Sequence, residues 1–312
     1  FSEDNGGFAG DSRSIAVVMK EIGKYLVIEP VMSCAVIAGR LLQNAKAGST
    51  EELVAGIISG EKVCILAHDA GYQPFSKPRL DAEEDGDTLV LNGTVHGIRH
   101  APIASDFLVS ARLDGDTVLL HVPADHPGLS RQDFRLMDGA AAAHLKLDRV
   151  SLPKAEVIGF NMATQEAIHD ALEWGLMAQV AEAVGMAEAM NKETFSYLMT
   201  REQFGTKIGN FQALQHRASD MHIAAEELFS MANLAIAILD HPASHMRSKT
   251  LSAAKVTADK SSRLIAHESA QLHGGMGVSD ELCIAYFLHR VATRRFELGS
   301  SDAHRLRFGG AL

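Results

Sequence analysis

From Pro153 to at least Glu297 the chain reads as helix with only short interruptions, and this limits the folds open to it. The period is clearest where Ile208, Phe211, Leu214, Ala218, Met221, Leu228, Met231 and Ile238 fall largely three or four positions apart. That spacing draws one apolar stripe along a helix, and so long a stripe has to be covered by other helices. Four long helices are expected, over roughly 162–190, 207–239, 245–273 and 279–296, joined by short loops into a bundle.

The front of the chain has a different texture. Residues 1–61 read as a helical N-terminal domain. Ile15, Val18, Met19, Ile22 and Leu26 form a helical stripe, Pro30 interrupts it, and an Ala-rich helix resumes from Val31 to Leu42. Ser49-Thr50-Glu51-Glu52 has the spacing of a capping box and opens a short helix ending near Gly60. Residues 62–152 carry short strand-like runs at Val63–Leu66, Thr88–Leu91, Phe107–Ser110, Val118–His121 and Leu145–Leu147, divided by turns such as Glu84-Asp85-Gly86-Asp87. These suggest a small middle barrel or sandwich. The fold class is therefore α+β: an N-terminal helical domain (1–61), a middle β domain (62–152) and a C-terminal four-helix bundle (153–312).

Composition works by exclusion. A net charge of −10 argues against a nucleic-acid partner, which needs a basic face. No window reads as an unbroken apolar membrane span, and no secretory segment opens the chain. Cys34, Cys64 and Cys283 lack metal or disulfide spacing and read as buried thiols of a reducing compartment, which places the protein in the cytoplasm. Fifteen histidines form no HExxH pattern, so no metal is expected. Met177, Met186, Met190, Met199, Met221 and Met231 fit helix packing. The chain opens at Phe1 in mid-motif, and a preceding segment is expected.

Two motifs carry the chemistry. Arg201-Glu202-Gln203-Phe204-Gly205 is expected to lead directly into the second long helix, putting Arg201 where free N–H groups and the positive dipole end favour an anion. The bland alternative is an ion pair with an acidic neighbour. Further on stands Gln271-Leu272-His273-Gly274-Gly275-Met276-Gly277. In this order, R-x-Q-F-G-x-x-I-x-x-F-Q-x-x-Q-H and Q-x-H-G-G-x-G resemble the acyl-CoA dehydrogenase family, over almost all of the chain and most strongly from Ala155 onward. The resemblance implies that both motifs reach across a subunit interface to the ADP end of an FAD seated on the neighbouring subunit. Arg201 would meet the pyrophosphate, with Gln203, Phe204, Ile208, Phe211 and Gln212 alongside. Gln271, Leu272, Gly274 and Gly275 would line the other side, the glycines letting backbone N–H groups approach closely.

The departures from the family pattern are as informative. The carboxylate base of the family falls on Leu298 at its commoner position and on Gly175 at its rarer one. Glu297 and Glu173 are offset by one or two residues, and such an offset turns a side chain away. The subunit's own flavin seat is altered too. A Thr-Glu pair of the family is Ala67-His68 here, and an aromatic-Ile-Thr/Ser run is Gly97-Ile98-Arg99. Groups serving a neighbour's FAD are kept, whereas those serving its own are lost. That asymmetry is similar to the small subunits of heteromeric members, the pimeloyl-CoA and steroid side-chain acyl-CoA dehydrogenases, whose tail resembles Gly299–His304.

The resemblance therefore implies an FAD-sharing subunit without the catalytic Glu, in an α2β2 heterotetramer with a catalytic acyl-CoA dehydrogenase subunit. A bulky acyl-CoA substrate would be bound mainly by that partner, with electron-transfer flavoprotein as an electron acceptor. The alternatives are a self-sufficient homotetramer using Glu297, a flavin-free scaffold and a flavin monooxygenase. Asp302 and His304 stand as ribose or interface contacts, His273 as a packed or capping residue and Trp174 as core or interface.

Overall fold

The computed structural model describes residues 1–46, 50–160, 162–242 and 244–310, and the chain divides into two compact units. One holds Phe1–Asp11 and Glu29–Gly175; the other holds Ser12–Ile28 and Leu176–Leu312. The expected N-terminal segment is thus shared between them, because α1 (Ser12–Tyr25) belongs to the second unit.

In the first unit Val31–Ala38 is a π-helix where an Ala-rich α-helix was expected, and only α2 (Gly39–Asn44) continues in α geometry. The wider turn shows in the bond from Gly39 N–H to the Cys34 carbonyl, five residues back. α3 (Glu51–Ser59) stops at Gly60, whose φ of 80° is a left-handed cap open to glycine. Thr50 precedes α3 without a side-chain cap, and Ser49 of the expected capping box lies outside the described residues.

The middle of the chain forms one seven-stranded sheet: β1 (Cys64–Ala67), β2 (Asp81–Asp85), β3 (Thr88–Arg99), β4 (Asp106–Leu113), β5 (Asp116–Pro123), β6 (Leu129–Arg135) and β7 (Ala141–Pro153). The order is β1-β4-β2-β3-β7-β6, with β5 antiparallel to β4 along its whole length. Ile65, Leu91, Phe107, Val109, Leu120 and Leu145 are among the side chains of its core. β2 and β6 escape the sequence reading for a physical reason. The first buries only Ala82 and the second buries nothing, so neither shows the apolar alternation that marks a strand. β3 bulges twice against β7, and Gly97 (φ 68°) lies within the second bulge.

A polar pair ties β5 to β4. His121 Nε2 lies 2.7 Å from Asp106 Oδ1, with Glu156 at 3.4 Å from Nδ1. The bond to Asp106 outweighs burial and raises the His121 pKa, while Asp106, despite burial, is lowered by His121 and Ser105. A raised folded pKa means a contribution that is complete below the unfolded value near 6.5 and lost as pH rises through the folded one. The stability difference between wild type and His121→Asn should therefore shrink as the pH of urea titrations rises above about 6.5. A flat difference would remove the imidazolium from the account.

The second unit is built on α4 (Thr164–Thr200), which enters from the first unit and runs past its expected end. It is joined by α5 (Gln212–Leu239), α6 (His245–His273), α7 (Cys283–Arg294) and an unexpected short α8 (Ser301–Phe308). α1 crosses α4 at Gly23 and Gly185, where a Cβ would run into the backbone of Glu182 and of Lys20 respectively. Close approach explains two glycines that would otherwise cost each helix about 1 kcal/mol. Cys283, expected to be buried, is exposed because it stands on the first residue of α7. Met177, Met186, Met190 and Met221 are buried as expected, whereas Met199 is exposed on the last turn of α4.

α5 also corrects an expectation. It holds an 18-residue window of mean hydropathy 1.3, so by length and composition it is apolar enough to cross a membrane. Here it lies along α6, tied by Arg217–Glu268 at 2.5 Å and Lys260–Glu227 at 3.6 Å, as a bundle helix does. Ile223, Phe229 and Leu234 remain exposed on it.

Candidate functional site

Arg201 directly follows the last turn of α4, its N–H donating to the Tyr197 carbonyl at 2.9 Å. This is the carbonyl end of a helix. The expected place at the amino end of the next helix is not met, since α5 begins only at Gln212. Phe204 (φ 56°) and Gly205 (φ 77°) are both left-handed and form the two-residue turn between β8 (Glu202–Gln203) and β9 (Thr206–Lys207). That hairpin interposes itself between the helices. A non-glycine residue held there costs about 1–3 kcal/mol, and such strain gathers at functional sites. Its effect is to hold the Phe204 ring 93% exposed at the tip. The segment returns over the end of α4, where a Cβ on Gly209 would come within 2.8 Å of the Leu198 carbonyl.

The glycine motif closes α6. Gly274 has φ 63° and ψ −142°, a conformation that favours glycine, and a Cβ on Gly277 would collide with the Ala270 backbone. Gly275 has neither excuse: its φ is ordinary and an added Cβ meets nothing within 4 Å. Neither its backbone nor its packing against the described residues requires a glycine there. His273 is buried, its Nδ1 2.8 Å from the Ser269 carbonyl, and its ring lies 4.5 Å from that of Tyr197 at 32°. The ends of α4 and α6 are therefore joined, with Arg201 just beyond one and Gly274 just beyond the other.

Around this joint Arg201, Gln203, Gln212, Gln271, Gly274 and Gly275 are exposed, and Ile208 is half-buried. Phe211 is partly exposed and edge-on to Phe204, with centroids 6.2 Å apart. Leu272 departs from its expected place beside a cofactor, because at 6% exposure it packs inside the bundle. Arg201 makes no ion pair among the described residues, so the bland alternative does not hold for this chain by itself. Tyr197 was not singled out in the sequence; an aromatic one turn before a motif arginine gave no signal of its own.

In the first unit, residues at and beside the altered flavin seat bond to other residues of that unit. His68 places Nδ1 2.7 Å from Ser110 Oγ and Nε2 2.9 Å from the Pro74 carbonyl, and burial pulls its pKa down to about 4. Asp69 pairs with His96 at 2.9 Å, Gly97 N–H donates to His144 Nδ1 at 3.0 Å, and Arg99 pairs with Asp138 at 2.8 Å. Trp174 is half-buried, with the Arg40 guanidinium 4.7 Å over its ring.

The places where the family base would stand hold a buried Gly175 and, at φ 55°, Leu298. Beside the latter, Glu297 accepts from Arg290 at 2.9 and 3.1 Å and from Gln179 at 3.2 Å. Arg290 also holds both oxygens of the buried Glu182, at 2.7 and 2.9 Å. Lys255, fully buried 2.9 Å from Asp259, has its pKa lowered to about 8 by burial and by Arg294, against the pull of Asp259. His304 is buried, neutral and bonded to the Leu298 carbonyl at 2.8 Å, which removes it as a surface ribose contact; exposed Asp302 pairs with Arg305 at 2.6 Å. Among the described residues no His, Cys, Asp and Glu group is placed to hold a metal.

A family model for the C-terminal domain of acyl-CoA dehydrogenases matches residues 165–312. The probable acyl-CoA dehydrogenase YngJ of Bacillus subtilis is 27% identical over 322 residues, spanning 98% of this chain and 84% of its own. The structure of a steroid ACAD, the Tcur3481-Tcur3483 G363A variant, matches with a TM-score of 0.89 and 28% identity over 99% of this chain and 83% of that one. The ChsE4-ChsE5 complex of Mycobacterium tuberculosis shares the fold at a TM-score of 0.87 and 22% identity, over 99% and 82%. Residues 165–312 thus carry the C-terminal domain of the acyl-CoA dehydrogenases, a family whose members bind FAD, and the chain is similar to acyl-CoA dehydrogenases over nearly its whole length.

Proposed function

We propose that this chain is the FAD-sharing, base-less subunit of a cytoplasmic heteromeric acyl-CoA dehydrogenase that introduces an α,β double bond into a bulky acyl-CoA thioester. One contrast carries the reading. Arg201, Gln203, Gln212 and Gln271 of the nucleotide clamp are exposed, Arg201 without an ion partner among the described residues, while His68, Gly97 and Arg99 of the flavin seat are each bonded within their own unit. Gly275 fits an FAD from outside, since its missing Cβ opens space that this chain does not use. Bound FAD would supply a hydride acceptor. Arg201 would neutralise the pyrophosphate, the backbone at Gly274 and Gly275 would approach it, and Gln203, Gln212 and Gln271 would offer amide hydrogen bonds.

Proton abstraction is assigned to the partner. Leu298 and Gly175 have no proton-accepting side chain, and an arginine-held carboxylate such as Glu297 is stabilised in its ionised form and is a poor base. Exposed Ile223, Phe229, Leu234, Met276 and Val278 supply apolar surface for a partner subunit to cover. A steroid side-chain or dicarboxylyl thioester is the substrate class proposed, with electron-transfer flavoprotein as acceptor; the likeness to a steroid ACAD supports the steroid side.

The test is to produce the chain alone and together with a candidate catalytic acyl-CoA dehydrogenase subunit from the same genome, and to record visible spectra. The expectation is a colourless lone chain and one FAD per heterodimer in the complex. A yellow lone chain that desaturates acyl-CoA would overturn the proposal.

A further inference from the structure

We infer that Tyr197 and His273 are positioning residues whose stacked rings set the spacing between the two halves of the nucleotide clamp. This rests on the role proposed above for Arg201, Gly274 and Gly275.

Three observations carry it. First, the hairpin 202–207 and the turn 274–278 share no hydrogen bond among the described residues, so neither fixes the other directly. Second, each is pressed onto its own helix by a glycine: Gly209 lies on the Leu198 carbonyl, and Gly277 on the Ala270 backbone. Each loop must therefore follow wherever its helix end goes. Third, the two helix ends meet through the Tyr197–His273 stack, 4.5 Å between centroids.

The placement of the two rings is specific. Tyr197 lies four residues before Arg201, and the Arg201 N–H bonds to its carbonyl, so a tilt of that last turn carries Arg201 with it. His273 is the final residue of α6 and immediately precedes Gly274. Its Nδ1 is bonded to the Ser269 carbonyl at 2.8 Å, which fixes the ring on its own helix and leaves a face for Tyr197. With this joint the clamp is preorganised at one width. Without it, two independent helix ends would have to be ordered on each binding event.

The experiment measures the FAD dissociation constant of the deflavinated heteromeric complex by fluorescence titration, with thermal midpoints and subunit association followed in parallel. Tyr197→Ala should weaken FAD binding about fivefold to tenfold, as expected for loss of an aromatic pair. Tyr197→Phe, which keeps a ring on each side and leaves the His273–Ser269 bond intact, should bind FAD nearly as wild type does. In an Arg201→Ala background, Tyr197→Ala should add little further loss, since it acts through the placement of that arginine.

Unchanged affinity in Tyr197→Ala while Arg201→Ala is impaired would overturn this inference alone. Strictly additive losses would do the same, by giving Tyr197 an effect independent of Arg201. Unchanged affinity in Arg201→Ala would overturn the clamp itself and this inference with it.

Discussion

Arg201→Ala should turn the co-purified heteromer from yellow to colourless, its FAD affinity reduced about thirtyfold to a hundredfold. The magnitude follows from losing a charge-assisted contact to an anion, worth about 2–3 kcal/mol. Folding should be nearly untouched, because the side chain is exposed and makes no ion pair among the described residues. The loss of a cation at the carbonyl end of α4 should cost only about 0.3–1 kcal/mol. Arg201→Lys should fall between the two, keeping the charge but losing the planar fork suited to phosphate oxygens. Absorbance at flavin wavelengths after gel filtration, set against the thermal midpoint, separates the cases. A colourless complex that is also unfolded would assign Arg201 to stability, and a complex that stays yellow would remove it from the clamp.

Arg290→Ala is expected to destabilise the chain by about 3–5 kcal/mol, the usual consequence of stripping the cation from a buried ion pair. Two carboxylates lose their arginine at once, Glu182 at 3% exposure and Glu297, which keeps Gln179 at 3.2 Å. Their mutual repulsion and desolvation should favour protonation, so the variant should lose less stability at mildly acid pH than at neutral pH. Adding Glu182→Gln should recover part of the loss, and urea unfolding of the three proteins across pH measures both effects. The same variant bears on catalysis. It releases Glu297 next to the position where the family carries its base. If lone Arg290→Ala protein bound FAD and acquired desaturase activity, the assignment of proton abstraction to the partner would have to be withdrawn.

Much of the helical region can be read from residue order, because one apolar stripe per helix is a local property; His245 to His273 was placed to the residue. Elsewhere the local signal ran out. The sequence pattern ends α4 too early and starts α5 too early, inside the loop, since a left-handed Phe204 is not something a phenylalanine announces. β2 and β6 are polar strands held by their neighbours, so their existence depends on β3, β4 and β7 and not on their own pattern.

The sequence by itself determined the class of fold, the two glycine- and arginine-bearing motifs, and that positions 298 and 175 hold Leu and Gly, because each of these is a statement about which side chain occupies which position. Only the tertiary structure decided that Arg201 caps the carbonyl end of one helix, that Tyr197 and His273 meet, and that Glu297 is held by Arg290. Only Tyr197 and His273 are distant in the chain; the other two contacts are near in sequence but depend on where each helix ends. Their geometry is set by how whole helices pack, which no local spacing of side chains encodes.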